Sequence, residues 1–111
     1  MKTFLTGATG FIGASVAQRL SRAGHQLRCL VRKTSQVREL QRLGATLVRG
    51  DVTDRNSLRE GMEGCDWVIN LANLYSFWEP DRTIYTAVNV EGTRNVLECA
   101  METNISKVVH V

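Results

Sequence analysis

Long apolar runs and proline are nearly absent from this chain of 111 residues, which contains a single proline. No apolar run approaches the roughly 20 residues that a membrane-spanning helix needs. The first strand-like residues lack the long apolar core and cleavage site of a signal peptide. Low-complexity tracts, linkers and internal repeats are also missing, yet 43% of the residues are hydrophobic, which excludes a disordered chain. We therefore expect one domain, residues 1–111, located in the cytoplasm and without a membrane partner.

Cysteine is scarce, and its three copies are isolated from one another. Cys29, Cys65 and Cys99 form no Cys-x-x-Cys pair, and no histidine lies at ligand spacing from them. We therefore expect no metal site. Separate thiols in odd number indicate buried free cysteines in a reducing compartment. His25 and His110 have no partner along the sequence that would make either of them catalytic.

The chain is basic, with a formal net charge of +3 and a pI of about 9.0. Most of the excess comes from Arg19, Arg22, Arg28, Arg32, Lys33, Arg38, Arg42, Arg49, Arg55 and Arg59. These cations are spread among acids and lack interleaved aromatics. They therefore predict solvated helix faces and no nucleic-acid partner. Part of the charge can instead serve a phosphorylated cofactor.

Apolar segments alternate with segments of helical spacing. The apolar segments predict strands at 2–6, 26–31, 45–48, 66–71 and 107–111. Helical spacing predicts helices at 11–23, 35–43, 57–62 and 81–102, the third capped by Asp54 or Asn56. Right-handed crossovers turn such an alternation into a parallel sheet with helices on both faces. We therefore predict an α/β protein with a doubly wound parallel sheet, truncated in its fifth strand. If the glycine-rich turn at residues 6–13 is a cofactor motif, the sheet is a Rossmann fold of strand order 3-2-1-4-5.

A glycine-rich turn separates the first strand from the first helix, with the sequence TGATGFIG at residues 6–13. Gly7 suits a tight turn, Gly10 lets the backbone approach a diphosphate, and Gly13 lets the helix pack close to the strand. The free N–H groups of the first helical turn would then face the phosphates. The spacing Gly-x-x-Gly-x-x-Gly only approximates the general dinucleotide motif. An ordinary turn is the alternative.

Four segments together resemble the extended short-chain dehydrogenase/reductase family of NAD(P)-dependent epimerases, dehydratases and reductases. They are the glycine turn at 6–13, GDVTD at 50–54, VINLA at 68–72 and NVEGTRNVL at 89–97, in the order and spacing of the family. The chain is most similar to dihydroflavonol-reductase-like and sugar-epimerase-like members, which the segment LYSFWEPD at 74–81 supports. The resemblance implies hydride transfer between a nicotinamide cofactor and a carbonyl or alcohol of a small-molecule substrate.

The resemblance also implies which residues bind the cofactor. In the turn these are Gly7, Thr9, Gly10, Phe11, Ile12 and Gly13. Asp51 and Val52 would lie beside the adenine, with the carboxylate accepting from the exocyclic amine. Leu71 and Ala72 would line the path to the nicotinamide ribose, and Asn89 matches the structural asparagine of the family. Each has an alternative: Asp51 caps a turn, Asn89 is only a helix residue, and Leu71 and Ala72 only pack at the strand end.

The second strand ends at Arg32 and Lys33, where an acidic residue would normally bind the adenosine ribose of NAD. A guanidinium can donate two parallel hydrogen bonds to a 2′-phosphate, which a carboxylate would repel. These two residues therefore predict NADP(H) as the cofactor, with NAD as the alternative. They could also be no more than a solvated start of the second helix.

The catalytic set of the family is a Ser or Thr just past the fifth strand, followed by Tyr-x-x-x-Lys on a later helix. Tyr75 is followed four positions later by Glu79, and Tyr85 by Asn89, so no catalytic residue is assigned. Because Val111 lies within an apolar strand, we expect a longer protein. The sequence predicts the NADP(H)-binding part of an oxidoreductase or epimerase. A non-catalytic NADP-sensing module and a structural domain with a vestigial site are the alternatives.

Two further expectations concern surfaces. The aromatic residues Tyr75, Phe77 and Trp78 either line a substrate pocket or pack against the start of the fourth helix. The last strand would be an edge with unpaired backbone groups, beside apolar faces that more chain would cover. We therefore expect the isolated chain to be inactive as a reductase, and to be marginally stable or to associate with itself or another chain.

Overall fold

The computed structural model describes residues 1–9, 11–32, 37–71 and 90–110. Its strands are β1 (Lys2–Thr6), β2 (Gln26–Val31), β3 (Thr46–Arg49), β4 (Trp67–Asn70) and β5 (Lys107–His110). Its helices are α1 (Phe11–Arg22), α2 (Arg38–Arg42), α3 (Arg55–Met62) and α4 (Gly92–Glu102). All strand pairs are parallel, and the sheet has the order β3-β2-β1-β4-β5. The predicted doubly wound fold and its strand order are confirmed.

Each face of the sheet carries its own hydrophobic core. Successive residues of a strand point to opposite faces, so Phe4 belongs to one core and Leu5 to the other. The first core packs α3 and α4 on the sheet, and the second packs α1 and α2 on it. Val68 and Ile69 of β4 divide in the same way. Burial on both faces explains why β1 and β4 carry adjacent apolar residues at their centres, instead of apolar residues that alternate with polar ones.

The boundaries around α2 differ from the prediction. The helix begins at Arg38 after Val37, whose φ of −115° is not helical, so the prediction of a helix at residue 37 is wrong, while residues 35 and 36 lie outside the described ranges. The N–H of Ala45 donates to the carbonyl of Leu40 at 3.1 Å and closes the turn after the helix. Ala45 therefore belongs to that turn, and β3 runs from Thr46 to Arg49 instead of over 45–48.

Helix α3 begins two residues earlier than predicted, because Asp54 caps it. The Asp54 carboxylate accepts a hydrogen bond from the N–H of Asn56 at 3.1 Å. Asn56 is therefore inside the helix and is not the cap. The strand β4 and the helix α1 are each slightly shorter than predicted. Of the predicted fourth helix, the described part is Gly92–Glu102, and residues 81–89 lie outside the described ranges.

Several arginines bind neighbouring elements. Arg28 of β2 donates from Nη1 to the carbonyl oxygens of Gly61 and Glu63 at 2.9 and 2.5 Å, which satisfies the end of α3. Arg55 lies 2.5 Å from a carboxylate oxygen of Glu98 and so ties α3 to α4. The expectation of solvated faces therefore does not hold for Arg28 and Arg55.

The three cysteines are free and buried, as their isolated spacing predicted. Burial raises the pKa of the Cys29 thiol to about 12 and also raises the pKa values of the other two. These thiols therefore stay protonated at neutral pH and act as small apolar side chains. Within the described ranges, no helix has the length and apolar character needed to cross a membrane.

Candidate cofactor-binding site

The glycine turn between β1 and α1 is closed by direct contact between main-chain segments. Gly7 has a φ of +74°, in the left-handed region that favours glycine. A Cβ at Gly13 would lie 2.0 Å from the carbonyl oxygen of Gly7 and 2.8 Å from the Cα of Ala8. Gly13 therefore allows a close approach, and its contact is the turn instead of the strand. Both positions require glycine for geometric reasons.

The amino end of α1 lies at the carboxyl edge of the sheet, because the helix directly follows β1. The first N–H groups of a helix have no intrahelical partner and carry the positive end of the helix dipole. Thr9 and Ile12 are exposed beside this end, and 62% of Ile12 is accessible to solvent. Gly10 and the side chain of Phe11 lie outside the described part of the structure. This arrangement offers N–H donors to an anion at the turn.

Asp51 follows β3 and holds its own turn. Its Oδ1 accepts hydrogen bonds from the N–H and the hydroxyl of Thr53, both at 3.0 Å. The turn-capping role is therefore real. Within the described ranges Oδ2 accepts no hydrogen bond, so this oxygen remains available to a ligand. The contact of Asp51 with adenine stays a prediction.

Val52 anchors the same turn from inside the protein. Only 5% of Val52 is exposed, and its Cγ2 would lie 2.6 Å from a Cβ at Gly92, the first residue of α4. The Val52 carbonyl accepts a hydrogen bond from Nδ2 of Asn95 at 3.0 Å. The side chain of Val52 thus belongs to the core, and its predicted place beside the adenine is untested.

The ends of β2 and β3 carry a pair of arginines. Arg32, just past β2, is exposed, and its carbonyl oxygen accepts a hydrogen bond from Nη1 of Arg49 at 3.1 Å. Next to it, the N–H of Gly50 donates to the carbonyl of Val31 at 3.0 Å. The sequence pattern did not single out Arg49 or its contact with Arg32. Its place at the end of the strand adjacent to β2 was the available signal. Lys33 lies outside the described ranges.

A row of hydrogen-bonded side chains crosses the carboxyl ends of β1, β4 and β5. Thr6 donates its hydroxyl to Oδ1 of Asn70, and both side chains are buried. The Asn70 amide lies 3.1 Å from Nδ1 of His110. Because an amide nitrogen only donates, Nδ1 of His110 is the acceptor in this contact. His110, for which the sequence offered no partner, is thus placed by Asn70.

Two other predicted positions lie near this row. Leu71 is half-buried, and its N–H donates to the carbonyl of Thr6 at 3.1 Å, so it continues the pairing of β4 with β1. Ala72 and Asn89 lie outside the described ranges, as do the aromatic residues Tyr75, Phe77 and Trp78.

In the described part of the chain, no three His, Cys, Asp or Glu residues are grouped so that they could hold a metal ion.

We expect Asn70→Leu to lower the free energy of unfolding by about 1–3 kcal/mol, because the buried Thr6 hydroxyl loses its acceptor. Urea unfolding measures this loss. The double variant Thr6→Val/Asn70→Leu should recover part of it, since no buried donor then remains unpaired. Strict additivity of the two substitutions would contradict a stabilising pair. Met101→Ala, at a position of α4 that is 79% exposed, serves as the control and should cost less than about 0.5 kcal/mol.

The family model described as the NAD dependent epimerase/dehydratase family matches residues 3–111, and the chain belongs to this family. A protein of Synechocystis sp. that carries the provisional name dihydroflavonol 4-reductase is 41% identical over 107 residues. The match covers 96% of this chain and 31% of that protein. The 4-hydroxy-2-methyl-3-oxo-4-farnesyl-3,4-dihydroquinoline-1-oxide ketoreductase of Stigmatella aurantiaca is 38% identical over 111 residues, which cover 100% of this chain and 33% of the ketoreductase. The chain thus spans about a third of the length of these curated relatives.

Solved structures show the same likeness. The crystal structure of gox2253 matches with a TM-score of 0.89 and 40% sequence identity. The match covers 97% of this chain and 33% of the gox2253 chain. A short-chain dehydrogenase/reductase superfamily protein from Agrobacterium tumefaciens, solved with bound NAD, has a TM-score of 0.81 and 30% identity. That match covers 99% of this chain and 32% of the other. The resemblance that the four sequence segments predicted is confirmed.

Proposed function

We propose that this chain is the NADP(H)-binding part of an oxidoreductase or epimerase that acts on a carbonyl or alcohol group of a small-molecule substrate. The observation that carries this proposal is the glycine turn, with Gly7 at positive φ and Gly13 against its carbonyl oxygen. In a doubly wound sheet, dinucleotides bind outside the carboxyl ends of the strands, with the pyrophosphate on the first helix. The two curated relatives carry reductase names, and the Agrobacterium protein holds NAD.

The described residues fit such a cofactor. A Cβ would fill the contact at Gly13, so the turn keeps the main chain bare where a pyrophosphate would approach. In our proposal the N–H groups at the start of α1 bind the pyrophosphate, and Oδ2 of Asp51 accepts from the adenine. Leu71 would border the nicotinamide half, together with Ala72 and Asn89. When bound, the nicotinamide supplies or takes up the hydride, and the chain binds and orients it.

The preference for NADP(H) over NAD(H) rests on the end of β2. Arg32 is exposed there, and no acidic residue follows it in the sequence before Glu39. A guanidinium matches a phosphate with two parallel hydrogen bonds, and no carboxylate repels the charge. We propose that Arg32 and Lys33 bind the 2′-phosphate of the adenosine ribose.

We expect NADPH to bind at least about tenfold more tightly than NADH, because hydrogen bonds to charged groups contribute about 1.5–3 kcal/mol. Titration calorimetry with both cofactors measures the ratio. Equal affinity would contradict the NADP specificity alone. Failure to bind either dinucleotide would contradict the proposed function and favour a vestigial site.

Gly10→Val should abolish binding of both NADPH and NADH, since its side chain would occupy the space of the diphosphate. Unchanged binding in that variant would mean that the glycines only form a turn.

The proposal includes a cytoplasmic location, which the three buried free thiols support, since thiols persist in reducing compartments. Self-association stays a prediction of the sequence. Its support is one side of α4, where Leu97 and Met101 are 42% and 79% exposed, preceded by the exposed Val90. The spacing of these residues places them on one side of the helix.

A further inference from the structure

The last residue of β3, Arg49, reaches across to the end of β2. The parallel register pairs Arg49 with Val31, the last residue of β2. From there its Nη1 donates to the carbonyl oxygen of Arg32 at 3.1 Å. The hydrogen bond fixes the Arg49 guanidinium at the carboxyl edge of the sheet. Two arginines that are 17 residues apart in the sequence therefore meet at this edge.

Arg49 has donors at this edge that form no hydrogen bond with another described residue. A guanidinium carries five N–H groups, and one of its nitrogens contacts the Arg32 carbonyl. Within the described ranges, glutamates form ion pairs with Arg42, Arg55 and Arg59, and no carboxylate pairs with Arg49. The residue is exposed. The Arg49 guanidinium is thus hydrogen-bonded to a neutral carbonyl, and its positive charge has no counter-ion among the described residues.

The charge and position of Arg49, together with the family of the chain, indicate a ligand group for this residue, the 2′-phosphate of NADP(H). The fold places the 2′ position of the adenosine ribose at the end of β2, where an arginine accommodates a 2′-phosphate. Arg49 is the second cation at that end, and it directly precedes Gly50 and Asp51 in the sequence. We propose that Arg49 is a specificity-determining residue that binds the 2′-phosphate of NADP(H) together with Arg32. This inference rests on the proposed function, which assigned the phosphate to Arg32 and Lys33 only.

The same hydrogen bond gives Arg49 a positioning effect. Because Arg49 holds the carbonyl of Arg32, it limits the directions that the main chain after β2 can take. Replacing the guanidinium removes both the charge and this restraint, whereas lysine keeps the charge and loses the planar fork. The two substitutions therefore separate the contribution of charge from that of the bidentate geometry.

The test compares Arg49→Gln with the wild-type chain by titration calorimetry, using NADP⁺, NAD⁺, 2′,5′-ADP and 5′-ADP. We expect Arg49→Gln to weaken binding of NADP⁺ and 2′,5′-ADP about tenfold, and to change NAD⁺ and 5′-ADP by less than about twofold, because only the first two carry the 2′-phosphate. Arg49→Lys should give an intermediate loss. Arg22→Gln is the matched control, since this exposed arginine lies at the far end of α1. It should leave all four affinities within about twofold.

The outcomes separate this inference from the proposed function. If the wild type prefers NADP⁺ and Arg49→Gln binds all four ligands like the wild type, the inference is overturned and the proposed function stands. An equal loss for ligands with and without the 2′-phosphate overturns it as well. If the wild type shows no preference for NADP⁺, the NADP specificity fails and the inference falls with it. If the wild type binds no dinucleotide, the proposed function fails as well. Thermal melting of each variant confirms that the compared proteins are folded.

Discussion

Gly13→Ala is expected to abolish dinucleotide binding and to destabilise the fold. The new Cβ would lie 2.0 Å from the carbonyl oxygen of Gly7, a distance at which the main chain must move. The added Cβ would also lie 2.8 Å from the Cα of Ala8. Ala8 is buried, so it has no free space into which it could move. The start of α1 must therefore shift away from the turn, which displaces the N–H groups proposed for the pyrophosphate. Overpacking of this kind costs about 1–3 kcal/mol, and we expect the upper end of that range.

Urea unfolding and calorimetry with NADPH measure the two effects of this substitution. Gly24→Ala is the matched control, because Gly24 has a φ of +89° and no atom within 4 Å of an added Cβ. That control should cost about 1 kcal/mol through backbone strain alone and leave NADPH binding unchanged. A Gly13→Ala variant with the stability and affinity of the wild type would contradict this prediction. It would show that α1 can move away from the Gly7 carbonyl without loss of stability or of dinucleotide binding.

Gly61→Ala is expected to lower the free energy of unfolding by about 2–3 kcal/mol. An added Cβ would lie 2.2 Å from Cε1 and 2.8 Å from Cζ of Phe4. Phe4 is fully buried in the central strand β1, so its ring has no free space into which to turn. Either α3 moves off the sheet or the ring leaves its rotamer, and both weaken the core between α3, α4 and the sheet. Chemical denaturation followed by circular dichroism measures the loss.

A compensating substitution makes this prediction specific. Phe4→Leu removes the edge of the ring and costs stability by itself. Combined with Gly61→Ala, it should be less destabilising than the sum of the two single changes by at least about 1 kcal/mol, because the two groups then no longer compete for the same space. Gly64→Ala, just past α3, controls for glycine replacement without a clash: its added Cβ meets open space, and its φ of +77° alone should cost about 1 kcal/mol. Additive losses would mean that the Phe4 ring does not limit position 61.

Local pattern and general topology were enough to predict the order of the elements. Each strand is short and apolar and each helix has amphipathic spacing, and both signals lie within a few residues of the chain. The strand order followed from right-handed crossovers and from one motif, the glycine turn at residues 6–13. The tight turn at Gly7 was predictable too, because a short connection between a strand and a helix favours glycine. The close approach at Gly13 was predicted, but its contact is the carbonyl oxygen of Gly7 instead of the strand.

Boundaries were less predictable, because a single hydrogen bond decides each of them. Asp54 and Asn56 were equal candidates for the cap of α3, and only the geometry shows that Asp54 accepts from the Asn56 N–H. Ala45 is as apolar as a strand residue, yet its N–H closes the turn after α2. Apolar pattern does not distinguish a turn residue from a strand residue, since both can be buried.

The sequence by itself determined the class of the fold, the glycine turn and the cations after β2, since each is encoded in a short contiguous segment. The tertiary structure alone decided which distant side chains meet. Arg28 reaches the end of α3 across 33 residues of sequence, Thr6 meets Asn70 across 64, and Arg49 meets Arg32 across 17. These contacts depend on strand order, parallel register and the face to which each side chain points. All three are set by the packed sheet as a whole, so no local pattern could have revealed Arg49 as a neighbour of Arg32.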